Sequence, residues 1–314
     1  MKRNKHFFIE ILVVFATLAT ACETKHDLQP TTGYLQVTGG KVWYKIVGKG
    51  NKTPLLLLHG GPGVPSYYLN PLEELGTDRP IIFFDQLGCG RSDNLTDTAL
   101  MTIDHYVEQL EQMRIGLNID EFYLYGSSWG TMLGVDYYLK YPKGVKAMIL
   151  SSPCLSAAMW TRDADTLIAT LPDSIQVAIH HNTQNNTYDS PDYIEAIDVY
   201  YRNFVTRTKS ADIDSSLAGM NTTIYTYMWG PSEFTATGNL KSYDRTNRLK
   251  EIKVPTLFIA GEFDEARPST VQQYQRLVPG AQFAIMKNAG HMTMQDHPEQ
   301  DIETIRNFLQ DLEK

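Results

Sequence analysis

The stretch from Glu121 to Leu139, EFYLYGSSWGTMLGVDYYL, sets an apolar run, a glycine, two serines, a tryptophan and a second glycine directly before a helix-like pattern. Two physical readings fit such a junction. One is an ordinary tight turn. The other is a sharp strand-to-helix elbow centred on Ser128 in Gly126-x-Ser128-x-Gly130, with the serine hydroxyl exposed at the helix N-terminus. Glycines flank such a serine because side chains there would clash with neighbouring backbone. The order of the other elements decides between them.

Tyr34–Gly48 reads as a hairpin around Gly39 and Gly40. PLLLLHG (Pro54–Gly60) and PIIFFDQ (Pro80–Gln86) are continuous apolar runs, the pattern of strands buried on both faces. A helical pattern over 103–117 precedes the strand FYLYG and another helix follows it. VKAMILSSP, VPTLFIAGEFD and AQFAIMKNAGH supply three more strands, with helices over 270–278 and 298–312. Strands alternating with helices imply a largely parallel α/β sheet covered on both sides. Residues 155–247 break the rhythm: polar and aromatic, with helical patterns at 172–181 and 191–208, they read as a helical cap over the C-terminal sheet edge, where open α/β sheets bind ligands. The expected organisation is a core of 33–154 and 248–314 interrupted by that cap.

With strand and helix in the required places, Ser128 reads as the nucleophile and Ser127 as support. A serine hydroxyl needs a base, and the base an orienting carboxylate, in the chain order Ser, Asp or Glu, His. Asp264 follows one late strand and His291 follows the next. Of the other histidines, His6 and His26 lie in the leader or tether, His180 and His181 on a cap helix, His297 at the start of the last helix and His105 on a surface helix. His59 lies upstream of the elbow, in HGGPG, and reads as support for that turn. The glycines of HGGPG let backbone amides approach a developing oxyanion, so Gly61 and Trp129 are the expected oxyanion-hole donors.

The 28 Lys and Arg, set against a net charge of -8, form no dense run beyond the extreme N-terminus, which argues against nucleic acid as a partner. At that N-terminus Lys2, Arg3 and Lys5 precede a short apolar run from Ile11 to Ala19, and small residues precede Cys22. This reads as a secretory signal ending in a bacterial lipobox: residues 1–22 as signal, Cys22 as the acylated residue, 23–32 as tether, and an exported, membrane-anchored protein. Cys89 and Cys154 read as small buried residues whose spacing requires no pairing. No metal constellation or nucleotide motif is present, so no cofactor is expected.

HGGPG, DQLGCGRSD, GSSWG, GEFDE and GHMT stand in the order and spacing of the prolyl aminopeptidases (proline iminopeptidases), which the chain resembles from about Tyr34 to its C-terminus. It looks closest to the branch containing the tricorn-interacting aminopeptidase. MWGPSEFTATG (Met228–Gly238) is the most telling piece, because general esterases of this fold have no reason to carry it. The resemblance implies an α/β-hydrolase that removes N-terminal residues, proline preferred, from short peptides. It implies the triad Ser128, Asp264 and His291, the oxyanion donors Gly61 and Trp129, and a structural loop at Asp85, Gly88, Gly90, Arg91 and Ser92. It further implies that Glu233 and Glu265 hold the substrate's free α-ammonium. Glu262 reads as structural, and Tyr225, Tyr227 and Trp229 are equally readable as pocket wall or as core. A carboxylesterase on the same scaffold, lacking the ammonium anchor, is the alternative, and a ligand-sensing protein with a retained triad is a third reading. Dehalogenases and epoxide hydrolases of this fold need an aspartate where this chain has Ser128.

Overall fold

The computed structural model describes residues 27–314; the signal, Cys22 and the first part of the tether lie outside the described residues. Strands β1 (Thr31–Val37) and β2 (Gly40–Val47) form the antiparallel hairpin, registered Val37 to Gly40. β3 (Leu55–Leu58), β4 (Ile81–Phe84), β5 (Phe122–Ser127), β6 (Val145–Ser151), β7 (Thr256–Gly261) and β8 (Gln282–Met286) complete one eight-stranded sheet, ordered β1-β2-β4-β3-β5-β6-β7-β8. β2 pairs antiparallel with β4, and every pairing from β4 to β8 is parallel. This is the α/β-hydrolase architecture.

The apolar runs explain the layering. Leu56, Leu58, Ile82, Phe84 and Leu124 face one core, while Leu55, Leu57, Ile81, Phe83, Tyr123 and Tyr125 face the other. Successive strand side chains point to opposite faces, so an unbroken apolar run is what a sheet covered on both sides requires. Helices α1 (Ile103–Gly116), α2 (Trp129–Lys140), α8 (Pro268–Leu277) and α10 (Pro298–Asp311) supply the covers, with a short α9 (Thr293–Asp296) before the last. α1 begins where the Thr102 hydroxyl accepts from the His105 amide. His105 itself is buried on α1, not displayed on a surface helix as its sequence context suggests.

Between β6 and β7 lie α3 (Ala157–Ile168), α4 (Asp173–Asn185), α5 (Pro191–Phe204), α6 (Ala211–Ala218) and α7 (Thr222–Met228). α3, α4 and α5 carry their own apolar cluster, in which Tyr193, Ala196, Tyr200 and Phe204 form one stripe of α5 at helical spacing. α7 and the loop after it pack Ile224, Tyr225, Met228 and Trp229 into the main core instead. The two halves of the insertion are thus held differently. The C-terminal end of α5 is tied down by backbone bonds from His291 N to the Phe204 carbonyl (3.0 Å) and from Met292 N to that of Val205 (2.9 Å).

Candidate active site

Ser128 stands at the elbow between β5 and α2 with φ 55° and ψ -122°, a strained conformation for a residue with a Cβ. Its amide is fixed by the Ser151 carbonyl at 3.1 Å. The flanking glycines are steric necessities: a Cβ on Gly126 would meet the Gly130 carbonyl oxygen at 2.5 Å, and one on Gly130 would meet that of Leu58 at 2.2 Å. Trp129 opens α2, so its amide is one of those with no acceptor inside the helix, and the helix dipole points its positive end the same way.

Gly61, after β3, has φ 108°, and a Cβ there would meet the amides of Gly63 and Val64 at 2.7 Å. Around it, His59 Nε2 accepts from Gln86 N (2.8 Å) and Nδ1 lies 2.9 Å from the Gly60 carbonyl, which fixes a neutral ring donating from Nδ1. Burial, opposed by Asp85, lowers the His59 pKa in agreement. Gln86 Oε1 then accepts from the Trp129 indole (2.9 Å), and the Tyr68 hydroxyl accepts from Gly60 N (2.6 Å). Both expected oxyanion donors are thereby braced by one buried network. The Asp85 loop is structural: both carboxylate oxygens bind Arg91, whose guanidinium stacks on Trp43.

Asp264 and His291 follow β7 and β8 and meet with Nδ1 to Oδ1 at 2.8 Å. Asp264 is 1% exposed and also accepts from Gly261 N (3.1 Å) and Ala266 N (2.8 Å). His291 Nε2 is buried without a hydrogen-bond partner, leaving it for a hydroxyl or a leaving group. Burial opposes the imidazolium, yet the charge and hydrogen bond of Asp264, with the charge of Glu233, raise the His291 pKa above its ordinary 6.5.

One narrow cleft is lined by Ser128, Gly61, Trp129, Cys154, Trp160, Trp229 and Glu233, so the expected nucleophile, both expected oxyanion residues and the cap glutamate share one space. The Trp160 ring meets His291 edge-on at 5.5 Å and brings the base to the same wall. The indoles of Trp160 and Trp229 both donate to the Glu233 carbonyl (2.8 and 3.1 Å), and the Tyr225 hydroxyl donates to Glu233 Oε1 (2.7 Å). Burial raises the Glu233 pKa, with His291 and Tyr225 pulling the other way. Glu265 is 1% exposed, 3.9 Å from His291 Nδ1, with neither carboxylate oxygen hydrogen-bonded. Burial, then the charges of Glu233 and Asp264, push its pKa well above the carboxylate range. A larger groove at the opposite sheet edge, lined by Leu28, Lys52, Asp120 and Lys146, contains no nucleophile and base and lies at the wrong ends of the strands for α/β chemistry.

A model of the alpha/beta hydrolase fold matches residues 53–298. A protein named proline iminopeptidase from Heyndrickxia coagulans is 44% identical over 283 residues, spanning 89% of this chain and 98% of that relative. The chain belongs to the proline iminopeptidase family. The crystal structure of the proline iminopeptidase of Mycobacterium smegmatis shares the fold at TM-score 0.84 and 29% identity, over 90% of this chain and 98% of that one. The crystal structure of VinJ does so at 0.87 and 29%, over 90% and 100%.

Sequence reasoning missed several residues around this proline iminopeptidase site. Tyr227 is 43% exposed and is not pocket wall, whereas Tyr225 and Trp229 hold Glu233. Trp160 and Tyr200 stand on cap helices, where nothing in the chain order points at a strand edge. Cys154 was readable only as core, and it is core and cleft wall at once. Ser152 had a signal, since it directly follows β6. Fully buried at φ 49°, its hydroxyl lies 2.6 Å from Asp264 Oδ2 and 2.8 Å from the His291 carbonyl. It has one proton for two acceptors, and the charged carboxylate is the stronger.

A side chain at positive φ is strained, so Ser152→Gly removes the hydroxyl while relieving the backbone, and Ser152→Ala removes it with the strain retained. Both variants should lower kcat about 10–100-fold, the worth of a hydrogen bond to a charged group, with KM little changed. Melting temperature should fall less in the glycine variant. Wild-type kcat in Ser152→Gly would show that the hydroxyl does not position Asp264.

Proposed function

We propose that this protein is a serine aminopeptidase releasing N-terminal residues, proline preferred, from short peptides. Ser128 Oγ attacks the first peptide carbonyl and His291 Nε2 takes its proton. Asp264 stabilises the resulting imidazolium, and the amides of Gly61 and Trp129 receive the oxyanion. His291 then protonates the departing amine, and water, activated by the same base, frees the acyl-enzyme.

One observation carries the exopeptidase reading over the esterase alternative. Glu233 and Glu265 are desolvated carboxylates beside the triad, and among the described residues neither forms an ion pair with a lysine or arginine. A free α-ammonium supplies the missing charge, and its attachment there measures off one residue from the scissile carbonyl. An ester acyl chain would have no use for them. The relatives named proline iminopeptidase support the preference for proline. The test is a profile of prolyl and other aminoacyl arylamides, their N-acetyl forms and simple acyl esters. Rapid turnover of the esters alone would establish the esterase instead.

We further propose that Cys22 carries lipid and holds the exported enzyme on a bacterial membrane, on the periplasmic side or at the cell surface, a reading that rests on the N-terminal sequence. Several acyl chains anchor stably where one is marginal, so the protein should resist salt washing of membranes. Cys22→Ser should move it to a soluble or unprocessed form. A wild-type protein cleaved elsewhere and found wholly soluble would refute the anchor.

A further inference from the structure

Asp264 and Glu265 are adjacent in sequence, both 1% exposed, yet their surroundings are opposite. Asp264 receives four hydrogen bonds, from Gly261 N, Ala266 N, Ser152 Oγ and His291 Nδ1. Glu265 receives none at either oxygen. Against a negative charge stand burial and the like charges of Glu233, from the loop after α7, and Asp264, from its own loop. The Tyr200 hydroxyl of α5, which forms no hydrogen bond of good geometry, is the weakest influence and the one that favours the charge. Cys154 after β6 carries no charge, its thiol pKa pushed up by burial. His291 is engaged with Asp264, and Arg267, two residues on, turns to Asp163 of α3.

A buried carboxylate without donors or a counter-ion does not keep its charge; it takes up a proton. The donor distribution therefore assigns the ionised state to Asp264 and the neutral one to Glu265. We propose that the resting enzyme holds a proton on Glu265, and that docking of the substrate's α-ammonium against Glu233 and Glu265 expels that proton to solvent. This rests on the ammonium-binding reading above. The Glu265 O–H bond breaks, its proton passes to water, and the ammonium keeps its own protons, its N–H groups donating hydrogen bonds to the two carboxylates. Net charge balances: the pair bears one negative charge before binding, and two negatives and one positive after it. The site never has to bury an extra ion. A neutral amine would take the same proton from Glu265 and reach the same complex, whereas an acetylated terminus does neither.

The pH dependence of prolyl arylamide hydrolysis reads this exchange. Two protons must leave the free enzyme, one from His291 and one from Glu265, so the acid limb of log kcat/KM should steepen toward a slope of about two below both transitions. In the bound complex Glu265 is already ionised, so the limb of log kcat should have a slope of about one. Glu265→Gln should reduce the kcat/KM limb to a slope of about one; a wild-type limb with that slope would overturn the proposal.

Calorimetry supplies an independent check with the Ser128→Ala variant and L-prolinamide, near pH ~7 in buffers of different ionisation heat. Binding should release up to one proton, and adding Glu265→Gln should abolish the release. Binding with no buffer dependence overturns the proton exchange. Failure of prolinamide to bind, or equal binding of N-acetylprolinamide, overturns the ammonium reading beneath it.

Discussion

Ser128→Ala leaves the enzyme folded and lowers turnover of a prolyl arylamide by about 10⁴-fold or more. The size follows from what is removed. The alanine side chain offers no nucleophile, so His291 has no hydroxyl to deprotonate and the acyl-enzyme route closes; only binding and the oxyanion amides of Gly61 and Trp129 remain. Stability should be little affected, because the elbow is fixed by backbone: the Ser128 amide on the Ser151 carbonyl and the glycines at 126 and 130. Alanine also bears a Cβ, so it inherits the strain at φ 55° without adding to it. A serine-directed organophosphonate should label the wild type at Ser128 and leave the variant untouched. Near-native turnover by the variant would place the nucleophile elsewhere.

The second large effect concerns recognition. N-acetylation of a prolyl substrate should cost roughly 10²–10³-fold or more in kcat/KM, since leaving a buried charge without its partner costs about 3–5 kcal/mol. Glu233→Gln and Glu265→Gln should each weaken catalysis on free-N-terminal substrates by a comparable factor. Both should matter far less for a small neutral ester, which uses only the triad and oxyanion hole. At Glu233 a glutamine still accepts from the Tyr225 hydroxyl, and the two indoles bind the backbone carbonyl, which the substitution leaves in place. Glu265 makes no side-chain hydrogen bond, so its glutamine keeps the shape and loses only the capacity to ionise. Equal cleavage of free and acetylated prolyl substrates would defeat the aminopeptidase assignment.

The sheet and the positions of Ser128, Asp264 and His291 along it were legible in the chain because their signals are local. A strand buried on both faces must be apolar throughout, as Leu55–Leu58 and Ile81–Phe84 are. An elbow at Ser128 needs glycine on both sides for steric reasons acting within five residues. Chain order then put a carboxylate and an imidazole at the ends of successive parallel strands, and parallel pairing brings those ends to one edge. Tertiary structure alone decided the rest. Trp160 and Tyr200 reach the site because apolar stripes fold α3 and α5 over it and backbone bonds pin α5 to the His291 loop. Ser152 gained its place from a positive φ after β6 that turns its hydroxyl between Asp264 and His291. The contrast between Asp264 with four donors and Glu265 with none is invisible in the letters DE, because two of those donors, Ser152 Oγ and His291 Nδ1, come from distant parts of the chain and the other two depend on how the loop turns. The sequence names the groups that can ionise; only packing settles which of two adjacent carboxylates keeps its proton, since that depends on the dipoles the fold aims at each.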